Sequence, residues 1–137
     1  MRKFTKRVGV TFLWDTNTVI YYLQKQLSLP AETFIDEILS ISRPAISAIT
    51  EIELRWWKAA TENDIIVLNN SINDSFVYEL YSDVKYKTVE IRKEYNVKLP
   101  DAIIAATALV NDFTLLSRNS KDFVRIDGLK LVNPFNL

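Results

Sequence analysis

Residues 99–117, LPDAIIAATALVNDFTLLS, join an apolar helix to a short apolar strand. Pro and Asp at the start are favoured in the first turn and at the cap of a helix, and AIIAATAL contains no charge and only one polar side chain. We therefore predict that Asp101 caps this helix and that Ala105, Ala106 and Ala108 allow it to pack closely on a sheet. The stretch DFTLLS has the composition of a buried strand.

The same alternation of helices and short apolar strands continues along the whole chain. Further strands are predicted at 8–14 (VGVTFLW), 44–47 (PAIS), 75–81 (SFVYELY) and 129–132 (LKLV). Further helices are predicted at 16–26, from Pro30 to Pro44, from a cap at Ser47 or Thr50 into TEIELRWWKAA, at 61–72, and from a cap at Ser82–Asp83 to about Tyr95. Strands that alternate with helices form parallel sheets covered on both faces. We expect one α/β domain over residues 1–137, with a short central parallel sheet flanked by helices on both faces.

The composition limits the chemistry that this chain can perform. Histidine and cysteine are absent, so any catalysis depends on carboxylates and any metal is held by oxygen atoms, which suits Mg²⁺ or Mn²⁺. Only two glycines occur, which excludes a P-loop and a dinucleotide-binding fingerprint.

The chain has a basic N-terminal segment and no apolar run long enough to span a membrane. Residues 1–7 form a basic N-terminal arm that carries Arg2, Lys3, Lys6 and Arg7, although the net charge of the chain is zero. No apolar run approaches the roughly 20 residues that span a membrane, and the N-terminal segment lacks the apolar core of a signal peptide. We expect a cytoplasmic protein without a membrane partner.

Four acidic residues are predicted to meet at one edge of the sheet. Asp15 ends the first strand, Asp122 follows the strand TLLS, and Glu53 lies one turn into the helix after AIS. Asp101 begins the helix that leads into TLLS. Taken singly, each has a structural explanation: Asp15 and Asp101 as helix caps, Glu53 as a solvated helix residue and Asp122 as a turn residue. Together they would repel one another unless a cation offset their charge, so the sequence predicts a Mg²⁺ or Mn²⁺ site with oxygen ligands.

Such a site favours reactions at phosphorus. Hard divalent cations bind phosphate oxygens, lower the pKa of water and neutralise charge on a leaving oxygen. Because the chain has no histidine or cysteine, activated water is the expected nucleophile.

Four stretches in order resemble a known family over residues 10–132. They are FLWDTNTVIYYL, SAITEIELRWW, LPDAIIAATAL, and TLLSRNSKDF followed by GLKL. The chain resembles the PIN-domain ribonucleases, and most closely the toxin branch called VapC. The resemblance implies a single PIN-like domain, a metal-dependent endoribonuclease that hydrolyses RNA phosphodiester bonds, a cognate antitoxin as partner, and a homodimer.

The resemblance also implies roles for individual residues. The acids that surround one or two Mg²⁺ or Mn²⁺ ions match Asp15, Glu53, Asp101 and Asp122, and the supporting polar residues match Asn17, Ser117 and Asn119. The middle acid is Glu53 rather than Glu51, because the family pattern places it directly before Leu54. The two glutamates lie about 200° apart on a helix, so only one of them is expected to face the metal.

The paired tryptophans in RWW are predicted to differ in environment. Helical spacing places Trp56 on an apolar face with Ile49 and Ile52, which predicts a core residue. Trp57 lies one turn beyond Glu53 and is predicted at the rim of the active-site cleft, as a platform for an RNA base or an antitoxin side chain. The alternative left open is that Trp57 packs under the first helix, against Tyr21 or Tyr22.

Two alternatives to a nuclease remain open from the sequence. DTNTV at 15–19 resembles the nucleophile motif of haloacid-dehalogenase-type phosphotransferases, although Asn17 replaces the usual second acid. A PIN-like module that binds RNA or protein without cutting it is the other alternative.

Overall fold

The computed structural model describes residues 11–58 and 61–136. The strands within these ranges are β1 (Phe12–Trp14), β2 (Ala45–Ser47), β3 (Phe76–Tyr78), β4 (Thr114–Leu116) and β5 (Lys130–Val132). The α-helices are α1 (Thr16–Leu23), α2 (Leu29–Ile41), α3 (Ala48–Arg55), α4 (Glu62–Asn73), α5 (Ser82–Glu94), α6 (Leu99–Asn111) and α7 (Ser120–Phe123). A short 3-10 helix follows at Pro134–Asn136.

The five strands form one parallel sheet in the order β3-β2-β1-β4-β5. The chain moves outward from β1 to β3 and then returns to the other side of β1 with β4. Phe12, Leu13 and Trp14 pair with Thr114, Leu115 and Leu116, so β1 and β4 end side by side. In open parallel sheets, ligands bind outside the carboxyl ends of the strands where the strand order reverses. In this fold that position lies beyond Trp14 and Leu116.

Helices cover both faces of the sheet, as the sequence predicts. Alternate strand residues point to opposite faces. One face carries Leu13, Ala45 and Leu115 and packs against α5 and α6. The other carries Trp14, Ile46 and Leu116 and packs against α1, α2 and α4. Such burial on both faces explains why the strands are so uniformly apolar.

Helix α6 buries six of its thirteen residues, most of them in its centre. Ala105, Ala106 and Ala108 are fully buried, and small side chains at these positions allow α6 to lie close to the sheet and to α5. The helix ends at Asn111, and Asp112 takes a left-handed backbone with φ 57°. The predicted close packing of this helix is therefore confirmed.

Two predicted caps are wrong, and at α3 one of the two predicted candidates, Ser47, is confirmed. Asp101 does not cap α6, because Lys98 occupies the N-cap position and Asp101 is the third helical residue. Tyr81, rather than Ser82 or Asp83, precedes α5. At α3 the cap is Ser47, whose hydroxyl oxygen accepts a hydrogen bond from the Thr50 backbone N–H.

Element lengths also differ from the prediction. Helix α1 ends at Leu23 rather than near residue 26, because Lys25 adopts a left-handed backbone with φ 56°. Strand β3 covers only Phe76–Tyr78 of the predicted 75–81. Of the predicted strand 8–14, residues 8–10 lie outside the described residues, as does the basic arm at 1–7.

The prediction that Trp56 is a core residue is wrong. Trp56 is 68% exposed and Ile52 is 60% exposed. Trp56 is the C-cap of α3 and its backbone N–H donates to the Ile52 carbonyl, so the two residues share one side of the helix, and that side faces solvent. The buried face of α3 instead carries Leu54 and Thr50, whose hydroxyl group is hydrogen-bonded.

No helix within the described ranges has both the length and the apolar character needed to cross a lipid bilayer.

Close packing of α6 predicts that enlarging one of its alanines destabilises the fold. We expect Ala105→Leu to lower the free energy of unfolding by about 1–3 kcal/mol, because a fully packed site cannot accept the extra carbons without strain. Thr33→Leu, at an exposed position of α2, is the matched control and should leave stability nearly unchanged. Urea unfolding of the two variants checks the prediction, which fails if both are as stable as the parent.

Candidate active site

A cleft of about 450 Å³ opens at the carboxyl edge of the sheet. Its lining residues come from the ends of β1 and β4 and from α1, α3 and α6: Asp15, Thr16, Asn17, Glu53, Trp56, Trp57, Lys58, Asp101 and Asn119. Three of the four predicted acids therefore face one cavity.

Asp15 is the most buried of the four acids, with 6% of its surface exposed. It directly follows β1, and its backbone N–H donates to the Leu116 carbonyl at 3.0 Å. One carboxylate oxygen accepts from the Ser117 hydroxyl at 2.6 Å, and the other accepts from the Thr16 backbone N–H at 2.7 Å. Burial raises the pKa of this carboxyl, while the two hydrogen bonds act in the opposite direction.

Asp15 is thus both a helix cap and a cleft residue. Its side chain is the N-cap of α1, as its simple structural explanation requires. The carboxylate nevertheless lines the cleft beside Glu53 and Asp101. Capping therefore accounts for one oxygen of Asp15 and leaves its place in an acidic cavity unexplained.

Glu53 is held in the cleft by a chain of hydroxyl groups. The Thr16 hydroxyl donates to Glu53 Oε1 at 2.6 Å, and the Thr16 and Thr50 hydroxyl oxygens lie 3.0 Å apart. Since the single Thr16 proton goes to Glu53, the Thr50 hydroxyl donates to Thr16. The Ser47 and Thr50 hydroxyl oxygens are 3.2 Å apart and extend the chain to the end of β2.

Glu51 has a different partner. It forms a salt bridge of 3.0 Å with Arg55, one helical turn further along α3. Only Glu53 of the two glutamates lines the cleft, which is the arrangement expected from their separation around the helix.

Asp101 lies across the cleft, in the first turn of α6. Desolvation is the main cause that raises its pKa to about 6, and the negative charges of Asp15, Asp122 and Glu53 raise it further. Lys98 acts in the opposite direction but does not offset these effects. Asp101 therefore experiences the charge of all three other acids.

Asp122 lies in α7, on the segment that follows β4. Its Oδ2 atom accepts from the Asn119 side-chain amide at 3.3 Å. Asp122 is half-buried and is not among the residues that line the cleft, but it is close enough to raise the pKa of Asp101.

The predicted polar residues occupy three different positions. Ser117 is fully buried and bonds Asp15, while its Oγ accepts from the Asn119 backbone N–H at 3.0 Å. Asn119 lines the cleft and bonds Asp122. Asn17 is exposed at the mouth of the cleft. Ser117 and Asn119 thus link the segment after β4 to two of the acids.

The donor atoms of the cleft fit a hard divalent cation. They are carboxylate, hydroxyl and amide oxygens, with no nitrogen or sulfur ligand of the kind that selects zinc. Over residues 11–58 and 61–136, no three acids are close enough together to enclose one ion. Mg²⁺ commonly keeps several water ligands and binds one or two carboxylates together with substrate phosphates, so the open arrangement suits it.

Sequence reasoning missed several residues of the cleft. Thr16 and Thr50 position Glu53, and the signal available was the hydroxyl residue directly after Asp15. Trp56 and Lys58 line the cleft although Trp56 was assigned to the core. Trp57, in contrast, is predicted at the cleft rim; it lines the cleft and is half-buried against the core on the α1 side of the sheet, in the cluster that also includes Tyr21 and Tyr22.

Comparison with known proteins agrees with this architecture. The model of the PIN domain family matches residues 12–129. None of the curated proteins compared with the chain matches it.

Several solved structures share the fold over nearly the whole chain. A toxin–antitoxin complex from Klebsiella pneumoniae contains a chain 29% identical to this one, with a TM-score of 0.71, covering 90% of this chain and 98% of that one. DNA-bound VapBC from Salmonella typhimurium contains a chain that is 26% identical, with a TM-score of 0.78. The match covers 91% of this chain and 98% of that one. FitAcB from Neisseria gonorrhoeae contains a chain that is 26% identical, with a TM-score of 0.73. The match covers 93% of this chain and 100% of that one.

The parallel sheet, the acids at its carboxyl edge and the family match over residues 12–129 lead to one conclusion: this chain belongs to the PIN domain family.

Proposed function

We propose that this protein is a divalent-metal-dependent endoribonuclease of the VapC type, which hydrolyses RNA phosphodiester bonds. The observation that carries the proposal is that Asp15, Glu53 and Asp101 line one cleft at the carboxyl edge of the sheet. Their mutual repulsion agrees with the raised pKa of Asp101, which results from burial and from the charges of Asp15, Asp122 and Glu53. Repulsion of this kind is retained in a fold when a cation offsets it in the working state.

The residues proposed to hold the cation are Asp15, Glu53, Asp101 and Asp122, with Mg²⁺ or Mn²⁺ as the ion. A bound divalent cation supplies Lewis-acid chemistry: it lowers the pKa of water and neutralises charge on phosphate oxygens. Asn17, Ser117 and Asn119 are proposed as supporting residues.

Positioning of the acids is the contribution of the protein itself. Ser117 and the Thr16 backbone N–H fix both oxygens of Asp15, and the Thr16 hydroxyl fixes Glu53. Asp101 is held by the close packing of α6. Groups locked in this way keep their geometry when substrate enters, which favours catalysis.

We further propose that the protein acts as a toxin with a cognate antitoxin as its partner. The support is its likeness to chains in the Klebsiella toxin–antitoxin complex and in DNA-bound VapBC from Salmonella. A homodimer is proposed on the resemblance to the VapC branch.

The experiment that tests the proposed activity is cleavage of single-stranded RNA with and without metal. We expect cleavage with Mg²⁺ or Mn²⁺ and none in excess chelator. Glu53→Gln should lower the rate by about 10²-fold, comparable to the loss of one electrostatic group from an active site. Glu51→Gln is the matched control and should cut RNA close to the wild-type rate, because Glu51 pairs with Arg55 outside the cleft.

Two results would contradict the proposal. Full activity in chelator would remove the metal from the mechanism. Equal losses in Glu51→Gln and Glu53→Gln would show that the site is misassigned.

The raised pKa of Asp101 predicts a pH-dependent effect of Asp101→Asn on metal-free stability. The folded-state pKa of about 6 lies above the usual value of 3.8, so the contribution of Asp101 to stability is fully present below the usual value and is lost as the pH rises through about 6. Asparagine keeps the shape of the side chain without the charge.

In chelator, Asp101→Asn should therefore melt at a higher temperature than wild type at about pH 7.5, and the difference should shrink at about pH 4. Thermal unfolding followed by circular dichroism measures both differences. A difference that is the same at the two pH values would contradict the electrostatic explanation.

A further inference from the structure

An exposed tryptophan stands where the cleft meets the protein surface. Trp56 is 68% exposed and lines the same cavity as Asp15, Glu53 and Asp101. It is the C-cap residue of α3, directly after the helix that carries Glu53. Tryptophan is enriched among the residues that dominate binding interfaces, and this ring lies in the lining of a polar cleft.

Lys58 lies against this ring. Its Nζ atom is 5.1 Å from the centre of the Trp56 ring, within the range of a cation–π contact, and the residue also lines the cleft. The rim therefore combines one flat aromatic surface with one positive charge, next to an interior that is acidic.

This combination complements a single-stranded nucleic acid. The acidic interior repels phosphate groups, so attraction to an RNA strand must come from a bound cation and from the rim. A base can stack on the tryptophan ring, and Lys58 can attract a neighbouring phosphate group. Aromatic rings combined with cations are the usual features of surfaces that bind single strands without a base-pairing code.

We propose that Trp56, with Lys58, forms a stacking platform that binds one base of single-stranded RNA beside the cleavage site. The proposal rests on the proposed nuclease function and adds a substrate-binding residue to it. Trp57 does not share this role, because its ring is half-buried against the hydrophobic core.

The first arm of the test measures binding without cleavage. A fluorescently labelled single-stranded oligoribonucleotide is titrated with protein in excess chelator, and its anisotropy gives Kd. We expect Trp56→Ala to raise Kd by about tenfold, within the range that one lost stacking contact produces, and Trp56→Phe to retain most of the affinity. Tyr86→Ala, at a 75% exposed aromatic residue of α5 outside the cleft, is the control and should bind like wild type.

The second arm measures steady-state cleavage with Mg²⁺. Trp56→Ala should raise KM by about the same factor as Kd while kcat stays close to wild type, because stacking holds substrate and transition state equally. Unchanged thermal unfolding of the variant, expected for an exposed side chain, separates this effect from misfolding.

The outcomes distinguish the two claims. A wild-type protein that cuts no RNA with metal contradicts the proposed function, whereas the binding arm still tests the platform. Wild-type Kd for Trp56→Ala, or an equal loss in Tyr86→Ala, overturns the platform. If sedimentation shows altered self-association of Trp56→Ala while RNA affinity is unchanged, the ring belongs to a protein interface and the platform is likewise overturned.

Discussion

The burial of Asp15 between the ends of β1 and β4 is the constraint on which the site depends. A carboxylate that is only 6% exposed loses most of its hydration, and the fold compensates with the Ser117 hydroxyl and the Thr16 backbone N–H. Both donors exist only because β1 and β4 are paired in register and α1 begins at the next residue. The pairing of β1 with β4 and the start of α1 therefore place the acid and both of its hydrogen-bond donors together.

The remaining acids are attached to this centre by rigid elements. Thr16 links Asp15 to Glu53, since its backbone N–H bonds one acid and its hydroxyl bonds the other. Asp101 is carried by α6, whose central alanines are fully buried, and Asp122 is linked to Ser117 through Asn119. The negative charges are consequently held near one another by packing and hydrogen bonds that act against their repulsion. Such an arrangement suits a cation that keeps several of its water ligands, because among the described residues no three acids enclose one ion directly.

Much of the fold could be predicted because the spacing of apolar residues and the local composition can be read from short stretches of sequence. Buried parallel strands such as AIS and TLLS are short apolar runs, and alternation of strands with helices limits the sheet to a parallel one. The positions of the acids followed from the rule that carboxyl ends of parallel strands meet at one edge. Asp15, Glu53 and Asp101 line one cleft in the structure, as that reasoning requires.

The errors arose where tertiary contacts override a local pattern. Helical spacing predicts Trp56 in the core, but α3 buries the side that carries Thr50, whose hydroxyl is hydrogen-bonded to Ser47 and Thr16, and leaves the side with Ile52 and Trp56 in solvent. The prediction that Asp101 caps its helix is wrong because α6 begins two residues before Asp101. Of the buried hydroxyl chain, a single sequence shows only that Thr16 directly follows Asp15, because Ser47 and Thr50 come from β2 and α3 and become adjacent to Thr16 only after folding.

The central claim is that the acids form one cation site, and direct binding of Mn²⁺ tests it most simply. Electron paramagnetic resonance of free Mn²⁺, titrated with protein at neutral pH, gives the affinity of wild type and of two variants. The account predicts binding by wild type, a loss of about tenfold or more in Asp15→Asn, and near-wild-type affinity in Asp127→Asn, an exposed acid outside the cleft. Absence of Mn²⁺ binding by wild type, or equal affinity in Asp15→Asn and wild type, would contradict it.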